Sequence, residues 1–244
     1  MLRPPIRIAM WSGPRNISTA MMRAWENRAD AAVVDEPLYA FYLARTGVGH
    51  PGADEIIATY PTDWRTVVKA LCGPVPGGRP IWYQKHMTHH VLPEVDLAWL
   101  ETLSNCFLIR SPAEMIASYI KVRPDPTLAD FGLVEQRRIF DYVRLTTGHV
   151  PPVLDARLVL EDPARMLSLL CERVGVPFDR RMLAWPAGKR ATDGIWATHW
   201  YADVERSTDF RPYRPKPVEL PERLQPLLDE CNELYAEMAA HRLT

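Results

Sequence analysis

Short apolar runs alternate with helical patterns along this 244-residue chain, and that alternation limits the fold more than any other feature. The strand-like runs occupy residues 6–11, 31–34, 80–83 and 105–109, with a fifth inside 153–160. The helical patterns cover residues 17–29, pieces of 38–72, 112–121, 135–147 and 162–174. Strands separated by helices are typical of a parallel sheet. The sequence therefore predicts an α/β fold, a doubly wound parallel sheet of about five strands with flanking helices.

One domain spanning residues 1–244 accounts for this length, because the chain has no repeat and no composition that marks a linker. Residues 6–180 carry the alternating pattern and form the predicted core. Residues 181–221 are rich in aromatic side chains and proline and have no clear period, which we interpret as a lid-like segment. A terminal helix is predicted over 222–241.

Composition argues against several classes of protein. The chain has 29 basic and 30 acidic residues, a formal net charge of −1, whereas a protein that binds nucleic acid by bulk electrostatics is usually basic. No apolar stretch approaches the roughly 18 residues of a membrane span, and no signal peptide precedes the first strand. The four cysteines lack CxxC spacing, which disfavours a zinc site or a disulfide framework. We expect a cytoplasmic globular protein without nucleic-acid or membrane partners.

The turn after the first strand, residues 12–19 (SGPRNIST), has the features of an anion site. A helix that follows a strand presents unpaired N–H groups at its N-terminus, and this turn adds the cation Arg15 and the hydroxyls of Ser18 and Thr19. The alternative is that the hydroxyls only cap the helix and Arg15 is a surface charge. The turn is not the nucleotide-hydrolase P-loop, because Ile17 and Ser18 stand where that motif has its second glycine and its lysine.

A second stretch, residues 105–119 (NCFLIRSPAEMIASY), places Arg110 at a strand end and Ser118 eight residues later on a helix. Together the two stretches resemble the sulfotransferase superfamily, whose P-loop-like fold binds 3′-phosphoadenosine 5′-phosphosulfate. Residues 14–19 look like a variant of its first motif, P-[KR]-S-G-[ST]-T, and 105–119 is similar to its second. The SGPRNIST loop also resembles a bacterial subgroup sometimes found beside, or named as, branched-chain aminotransferases, although this chain has no aminotransferase domain of its own.

The resemblance implies a set of donor-binding residues. Arg110 and Ser118 would contact the 3′-phosphate, although without the resemblance they could equally be a strand-end ion pair and a neutral helix residue. The loop that would hold the 5′-phosphosulfate consists of Gly13, Pro14, Arg15, Asn16, Ile17, Ser18 and Thr19. The product would be adenosine 3′,5′-bisphosphate, and no metal is expected.

Two candidate bases follow predicted strands, where a doubly wound fold opens its crevice. Glu36 stands in a Glu-Pro-Leu setting similar to that of some bacterial sulfotransferases, or it caps the next helix. His86 directly follows Lys85, whereas cytosolic sulfotransferases have Lys-x-His, and since neighbouring strand residues point to opposite faces only one of the pair would reach the crevice. Lys85 would neutralise charge on the transferred group. His86, His89 and His90 raise the question of zinc, but no further ligand is evident.

The predicted lid contributes one further candidate, Trp196, which could stack on adenine or simply pack the C-terminal helix on the sheet. The sequence therefore favours a sulfotransferase that uses a small-molecule hydroxyl or amine acceptor and could form a homodimer. Two alternatives stay open: an ATP-dependent small-molecule kinase, against which the missing P-loop lysine counts, and a non-catalytic nucleotide-binding domain of the same fold.

Overall fold

A five-stranded sheet organises the computed structural model, which describes residues 4–215 and 217–244. The strand order is β2-β3-β1-β4-β5, and every neighbouring pair is parallel. The strands are β1 Ile6–Ser12, β2 Ala31–Asp35, β3 Ile81–Met87, β4 Ser104–Ile109 and β5 Val153–Asp155. The predicted doubly wound α/β fold is confirmed.

Helices connect the strands and cover both faces of the sheet. They are α1 Ser18–Glu26, α2 Tyr39–Thr46, α3 Ala53–Thr59, α4 Trp64–Leu71, α5 Pro112–Tyr119, α6 Leu128–Phe131, α7 Leu133–Thr147, α8 Ala156–Glu161, α9 Pro163–Arg173, α10 Ala197–Trp200, α11 Ala202–Glu205 and α12 Gln225–Ala239. Short 3₁₀ turns lie at Pro76–Gly78, Thr88–His90, Ala98–Thr102, Arg180–Leu183 and Glu222–Leu224. Among the described residues, no helix is both long and apolar enough to cross a bilayer.

The two faces of the sheet bury different side chains, because successive strand residues point in opposite directions. Along β1, Ile8 and Met10 pack with α1 in one core cluster, whereas Ala9 and Trp11 pack in the other. All four of these side chains are fully buried. Near-continuous burial of this kind is expected of a central parallel strand covered on both sides.

Strand β3 is longer than the sequence predicts and this changes the interpretation of its last residues. The predicted strand covered residues 80–83, but β3 pairs with β1 along its full length, from Ile81 opposite Ile6 to Met87 opposite Ser12. The segment Gln84–His86, predicted to follow the strand, therefore lies inside it. Strand β5, in contrast, occupies only the first three residues of the range 153–160 that was predicted to contain it. It ends at Asp155, whose side chain accepts a hydrogen bond from the Arg157 backbone N–H at 2.8 Å and caps α8.

Candidate active site

A cavity of about 580 Å³ opens at the carboxyl ends of the strands, above β1. Strand β1 lies between β3 and β4, so the chain crosses to opposite sides of the sheet at this point, where open α/β sheets bind their ligands. The predicted site residues that line the cavity are Pro14, Arg15, Asn16, Ile17, Ser18, Thr19, Glu36, Lys85, Arg110 and Ser118. Gly13, His86 and Trp196 are not among its lining residues.

The loop between β1 and α1 is held open by its own side chains. The Asn16 amide donates to the Leu108 carbonyl at 3.1 Å, while its oxygen accepts the Ile17 N–H at 2.9 Å. Among the residues that the structure describes, no side chain caps the N-terminus of α1, so its first N–H groups stay available to an anion. Gly13 lies at the start of the loop, where an added Cβ would stand 2.6 Å from the Phe131 carbonyl oxygen. Its role is to permit this close approach.

Three predicted donor-binding residues meet at one wall of the cavity. The Arg15 Nε donates to the Ser118 hydroxyl at 3.0 Å, and the Arg110 Nη1 donates to the Arg15 carbonyl at 2.6 Å. Arg110 also pairs with Glu114, with 3.1 Å between Nε and Oε2, and its side chain is 27% exposed. The guanidinium groups of Arg15 and Arg110 and the hydroxyl of Ser118 therefore lie close together, and such a combination of donors suits a phosphate.

A cluster of charged side chains reaches the cavity at Glu36 and Lys85. The buried Lys85 Nζ lies 2.9 Å from the Asp35 Oδ1 and 2.9 Å from the Tyr201 hydroxyl, and it also contacts the Glu36 carboxylate. The Tyr201 hydroxyl donates to the Asp35 Oδ2 at 2.7 Å. The Glu36 side chain retains 12% exposure, so it is the carboxylate of this cluster that reaches the cavity.

Burial and neighbouring charge set the protonation states of this cluster. Burial raises the pKa of Glu36, the nearby Asp35 adds to this effect, and Lys85 opposes it. For Lys85, burial alone would lower the pKa, but the two carboxylates outweigh it and raise the pKa well above its ordinary value. Lys85 is therefore a permanent cation, and Glu36 is a carboxylate with more than ordinary affinity for a proton. A general base needs this property.

His86 does not reach the cavity, and this corrects its assignment as a candidate base. It lies inside β3 on the face opposite Lys85, where its ring stacks on Trp11 with 4.2 Å between ring centroids. Its Nε2 lies 3.2 Å from the Gln84 Oε1. Burial lowers the pKa of His86 to about 3, with Lys85 adding to this, so the ring is a neutral part of the core. As the alternation of strand side chains predicts, only one of the two neighbours reaches the cavity, and it is Lys85.

Trp196 does not line the cavity either, so it is not placed to stack on adenine. Its ring is buried beside Tyr39 and Tyr60, so it packs the lid against α2 and the chain that follows α3. The lid residues that line the cavity include Trp200 and Tyr201 instead. Tyr201 and Asp35 stand in no sequence motif that would have marked them as part of this cluster. Their contact depends on the path of residues 186–217, which has no periodic signal.

Aromatic and imidazole rings form the end of the cavity beyond Glu36. Tyr39 stacks on His90 with 4.7 Å between ring centroids and an interplanar angle of 8°. Its hydroxyl lies 2.8 Å from the His50 Nδ1, and His50 approaches the Trp200 ring edge-on at 6.2 Å. Across residues 4–215 and 217–244, no group of three or more side chains is arranged to hold a metal ion.

Comparison with known proteins agrees with this architecture. The family model described as "Sulfotransferase domain" matches residues 6–241. Two Arabidopsis thaliana proteins, "Branched-chain-amino-acid aminotransferase-like protein 2" and "protein 1", are 33% and 34% identical over 96% and 99% of this chain. The chain spans only 41% and 43% of their lengths, so the aminotransferase in their names need not refer to the matched part.

A solved structure shares the fold across nearly all of both chains. The sulfotransferase from Alicyclobacillus acidocaldarius superposes with a TM-score of 0.58 at 13% identity, covering 100% of this chain and 98% of that one. At this identity the likeness concerns the fold alone, whereas the family model rests on the sequence itself. Because that model spans almost the whole chain, the protein belongs to the sulfotransferase family, a class of transferases.

Proposed function

We propose that this chain transfers the sulfuryl group of 3′-phosphoadenosine 5′-phosphosulfate to a hydroxyl or amine of a small acceptor. The observation that carries the proposal is that one cavity joins the anion-binding loop, residues 14–19, to the Glu36–Lys85 ion pair. In this proposal the same cavity binds the phosphates of the donor and presents the base to the acceptor. We further propose that the enzyme is cytoplasmic and requires no metal.

The donor fits the charged wall of the cavity. The uncapped N-terminus of α1 and the guanidinium of Arg15 would hold the 5′-phosphosulfate end. Arg110 and Ser118 would hold the 3′-phosphate, with Arg110 exchanging part of its contact with Glu114 for the ligand. Arg211, a further cation of the lid, also lines the cavity. Four charged or polar side chains, together with the N-terminus of α1, would therefore face a ligand that carries two phosphates.

Glu36 would act as the general base. Its carboxylate takes the proton from the acceptor hydroxyl as the acceptor oxygen attacks sulfur, and the bond between sulfur and the bridging phosphate oxygen breaks. Negative charge then develops on the leaving phosphate, where Arg15 and the α1 N-terminus stabilise it. Lys85 orients the Glu36 carboxylate through their ion pair and offsets the charge of Asp35.

Nucleotide binding provides the test, because it needs no knowledge of the acceptor. Calorimetry should detect tight binding of adenosine 3′,5′-bisphosphate, at least ten-fold tighter than adenosine 5′-phosphate, because the 3′-phosphate adds a charge-assisted contact. Sulfate transfer from labelled donor to a panel of phenols, alcohols and amines tests the activity. Tighter binding of ADP with Mg²⁺ would favour the kinase alternative, and binding without any transfer across the panel would favour a non-catalytic nucleotide-binding domain.

A further inference from the structure

The ammonium group of Lys85 has three N–H donors, and the structure offers an acceptor to each of them. The Asp35 Oδ1 and the Tyr201 hydroxyl oxygen both lie 2.9 Å from the Lys85 Nζ. The Glu36 carboxylate is the third acceptor. Asp35 ends β2 and Glu36 follows it, whereas Tyr201 comes from the lid. The lid therefore supplies one of the three contacts that fix this buried cation.

The Tyr201 side chain is itself held in one orientation. Its hydroxyl donates to the Asp35 Oδ2 at 2.7 Å and accepts from the Trp196 Nε1 at 3.4 Å. Its backbone joins α10 to α11, because its N–H donates to the Ala197 carbonyl and its carbonyl accepts from the Glu205 N–H, both at 2.9 Å. Burial and the charge of Asp35 raise the pKa of Tyr201 well above its ordinary value, so the hydroxyl keeps the proton that it donates.

The Glu36 carboxylate depends on Lys85 for its orientation. Its Oε1 contacts the Lys85 Nζ and lies 3.5 Å from the Tyr201 hydroxyl. Toward the part of the chain that the structure describes, its Oε2 makes no hydrogen bond, so this oxygen is the one left to accept a proton. A reacting group that moves by about 1 Å can lose on the order of 10²-fold in rate, so the contacts that hold Lys85 also matter to Glu36.

Resting on the proposed role of Glu36 as the base, we propose that Tyr201 is a positioning residue through which the lid holds Lys85 against the Glu36 carboxylate. Tyr201 transfers no proton itself, because its hydroxyl proton is engaged by Asp35. The Gly194 N–H, also from the lid, donates to the same Asp35 oxygen at 3.3 Å. The base therefore has its working geometry only while the lid is docked on the ends of β2 and β3.

The Tyr201 hydroxyl acts on the proton affinity of Glu36 in a direction that a loosened lid would not reproduce. Burial is the main cause that raises the pKa of Glu36 and Asp35 adds to it, whereas Lys85 and the hydrogen bond from Tyr201 lower it. Loss of the hydroxyl alone should therefore raise the pKa of Glu36. A lid that merely loosened would admit water and lower this pKa. Tyr39 on α2 also faces Glu36 but stays neutral, because burial and the Glu36 charge raise its own pKa.

Titration of the Glu36 carboxyl group by NMR tests the proposal in protein with isotope-labelled glutamate carboxyl groups. The signal that is missing in Glu36→Gln assigns the residue. Tyr201→Phe keeps the ring and removes the hydroxyl, and we expect Glu36 then to titrate at a higher pH than in the unmodified protein. A titration that is unchanged, or that moves to lower pH, overturns the proposal.

Tyr60→Phe is the matched control. The Tyr60 hydroxyl accepts the Ile195 N–H of the lid at 3.4 Å, and its ring packs on Trp196, so it contacts the lid but not the charged cluster. The Glu36 titration should therefore stay where it is in the unmodified protein. A shift in Tyr60→Phe equal to that in Tyr201→Phe would assign the effect to lid packing and overturn the role of the Tyr201 hydroxyl.

Turnover gives a second readout once an acceptor is known. Tyr201→Phe should lower kcat about ten-fold and change the KM for the donor by less than about two-fold, because the base loses its orientation while the donor site is untouched. Tyr60→Phe should leave both constants within about two-fold. A kcat equal to that of the unmodified enzyme in Tyr201→Phe would also overturn the proposal.

The titration needs neither donor nor acceptor, so it separates two levels of failure. If the unmodified protein does not bind adenosine 3′,5′-bisphosphate, the proposed function fails. If it binds the bisphosphate and transfers sulfate, but Tyr201→Phe leaves the Glu36 titration in place, only the role of Tyr201 fails. Should Tyr201→Phe not fold, Asp193→Asn loosens the lid at its contact with Arg23, away from the cluster. Glu36 should then titrate at a lower pH, and an unchanged titration overturns the proposal.

Discussion

Two residues that line the cavity hold a backbone conformation that L-amino acids rarely adopt. Arg15 has φ of 56° and Glu36 has φ of 38°, and neither is glycine. Such a conformation costs on the order of 1–3 kcal/mol and persists only where neighbours hold it. The Arg110 guanidinium binds the Arg15 carbonyl, and the Glu36 N–H donates to the Lys85 carbonyl at 2.9 Å. The fold thus fixes the backbone at Arg15, the proposed phosphate-binding cation, and at Glu36, the proposed base.

Replacing Glu36 by Gln keeps the size of the side chain and removes the proton acceptor. We expect the turnover number to fall by roughly two to four decades, with the affinity for adenosine 3′,5′-bisphosphate nearly unchanged. Steady-state kinetics with an active acceptor, together with calorimetry, measure both quantities. Turnover near that of the unmodified enzyme would remove Glu36 from the mechanism, and no role would then pass to His86, which lies on the other face of the sheet.

The raised pKa of Glu36 also sets the direction of a pH effect. A base works only when deprotonated, so kcat/KM should decline as the pH falls through the Glu36 pKa, which burial moves above the ordinary glutamate value. The acid limb of the profile should therefore begin at a higher pH than an unperturbed glutamate would give. Asp35→Asn removes one of the causes and should move this limb to lower pH. A limb that stays in place would show that another group controls it.

Ser118 offers a cleaner test of the 3′-phosphate site than Arg110 does. Arg110 supports the carbonyl of Arg15, so Arg110→Ala should weaken adenosine 3′,5′-bisphosphate by roughly one to two decades but also disturb the loop that binds the 5′-phosphate. Ser118→Ala removes only a hydroxyl that accepts from Arg15. It should weaken the bisphosphate by about three- to ten-fold and leave adenosine 5′-phosphate within two-fold. Equal weakening of both nucleotides would assign Ser118 to the loop.

At the scale of elements, an ion pair fastens the lid to α1. Arg23 on α1 forms a two-pronged contact with Asp193, at 2.6 and 2.7 Å, and both side chains are buried. The next residue, Gly194, donates its N–H to the Asp35 Oδ2 at 3.3 Å. Tyr201 joins the same carboxylate from the lid. The position of the lid is therefore linked to Asp35, the carboxylate next to the proposed base.

Asp193→Asn should loosen this attachment, because it leaves the buried Arg23 without a full counter-charge. Breaking a buried ion pair costs about 3 kcal/mol or more, which corresponds to a decrease in Tm of roughly 6–12 °C for a chain of this size. Hydrogen exchange should accelerate across residues 186–217 before the sheet is affected. Asp125→Asn removes the exposed carboxylate that pairs with Arg223 and provides the control, with a change in Tm of about 2 °C or less. Uniform exchange across the whole chain would contradict a local anchor.

The elements with a clear period could be predicted from the sequence, and the segment without one could not. The strand β1, the turn at residues 12–19 and the helix that follows Arg110 are local patterns, so the part of the cavity wall that they form could be predicted. That this wall binds the sulfate donor stays a prediction. The end of β3 depends on pairing with β1, which no local pattern reveals, and this moved His86 into the core. Tyr201 reaches Lys85 only because the lid folds back over β2 and β3, a contact between residues 116 positions apart.

At the scale of the whole molecule, three buried imidazoles make the free energy of unfolding depend on pH. His86 lies in the core beside Trp11, whereas His89 and His90 lie beside the cavity. Burial lowers the pKa of all three, to about 3 for His86 and His89 and well below the ordinary value for His90. In the unfolded chain each would titrate near 6.5. At a pH between the folded and the unfolded pKa values, unfolding therefore takes up protons.

The expected consequence is a loss of stability as the pH falls. These groups have depressed pKa values in the folded protein, so the stability that they contribute is complete above about pH 6.5 and declines toward pH 3. Each imidazole contributes a slope of about 1.4 kcal/mol per pH unit. Urea unfolding at pH 7, 6 and 5 measures the total slope. His86→Phe keeps a flat ring against Trp11 and should reduce the slope by about one proton. An unaltered slope in His86→Phe would mean that His86 is protonated in the folded protein, which its burial between Trp11 and Gln84 makes unfavourable.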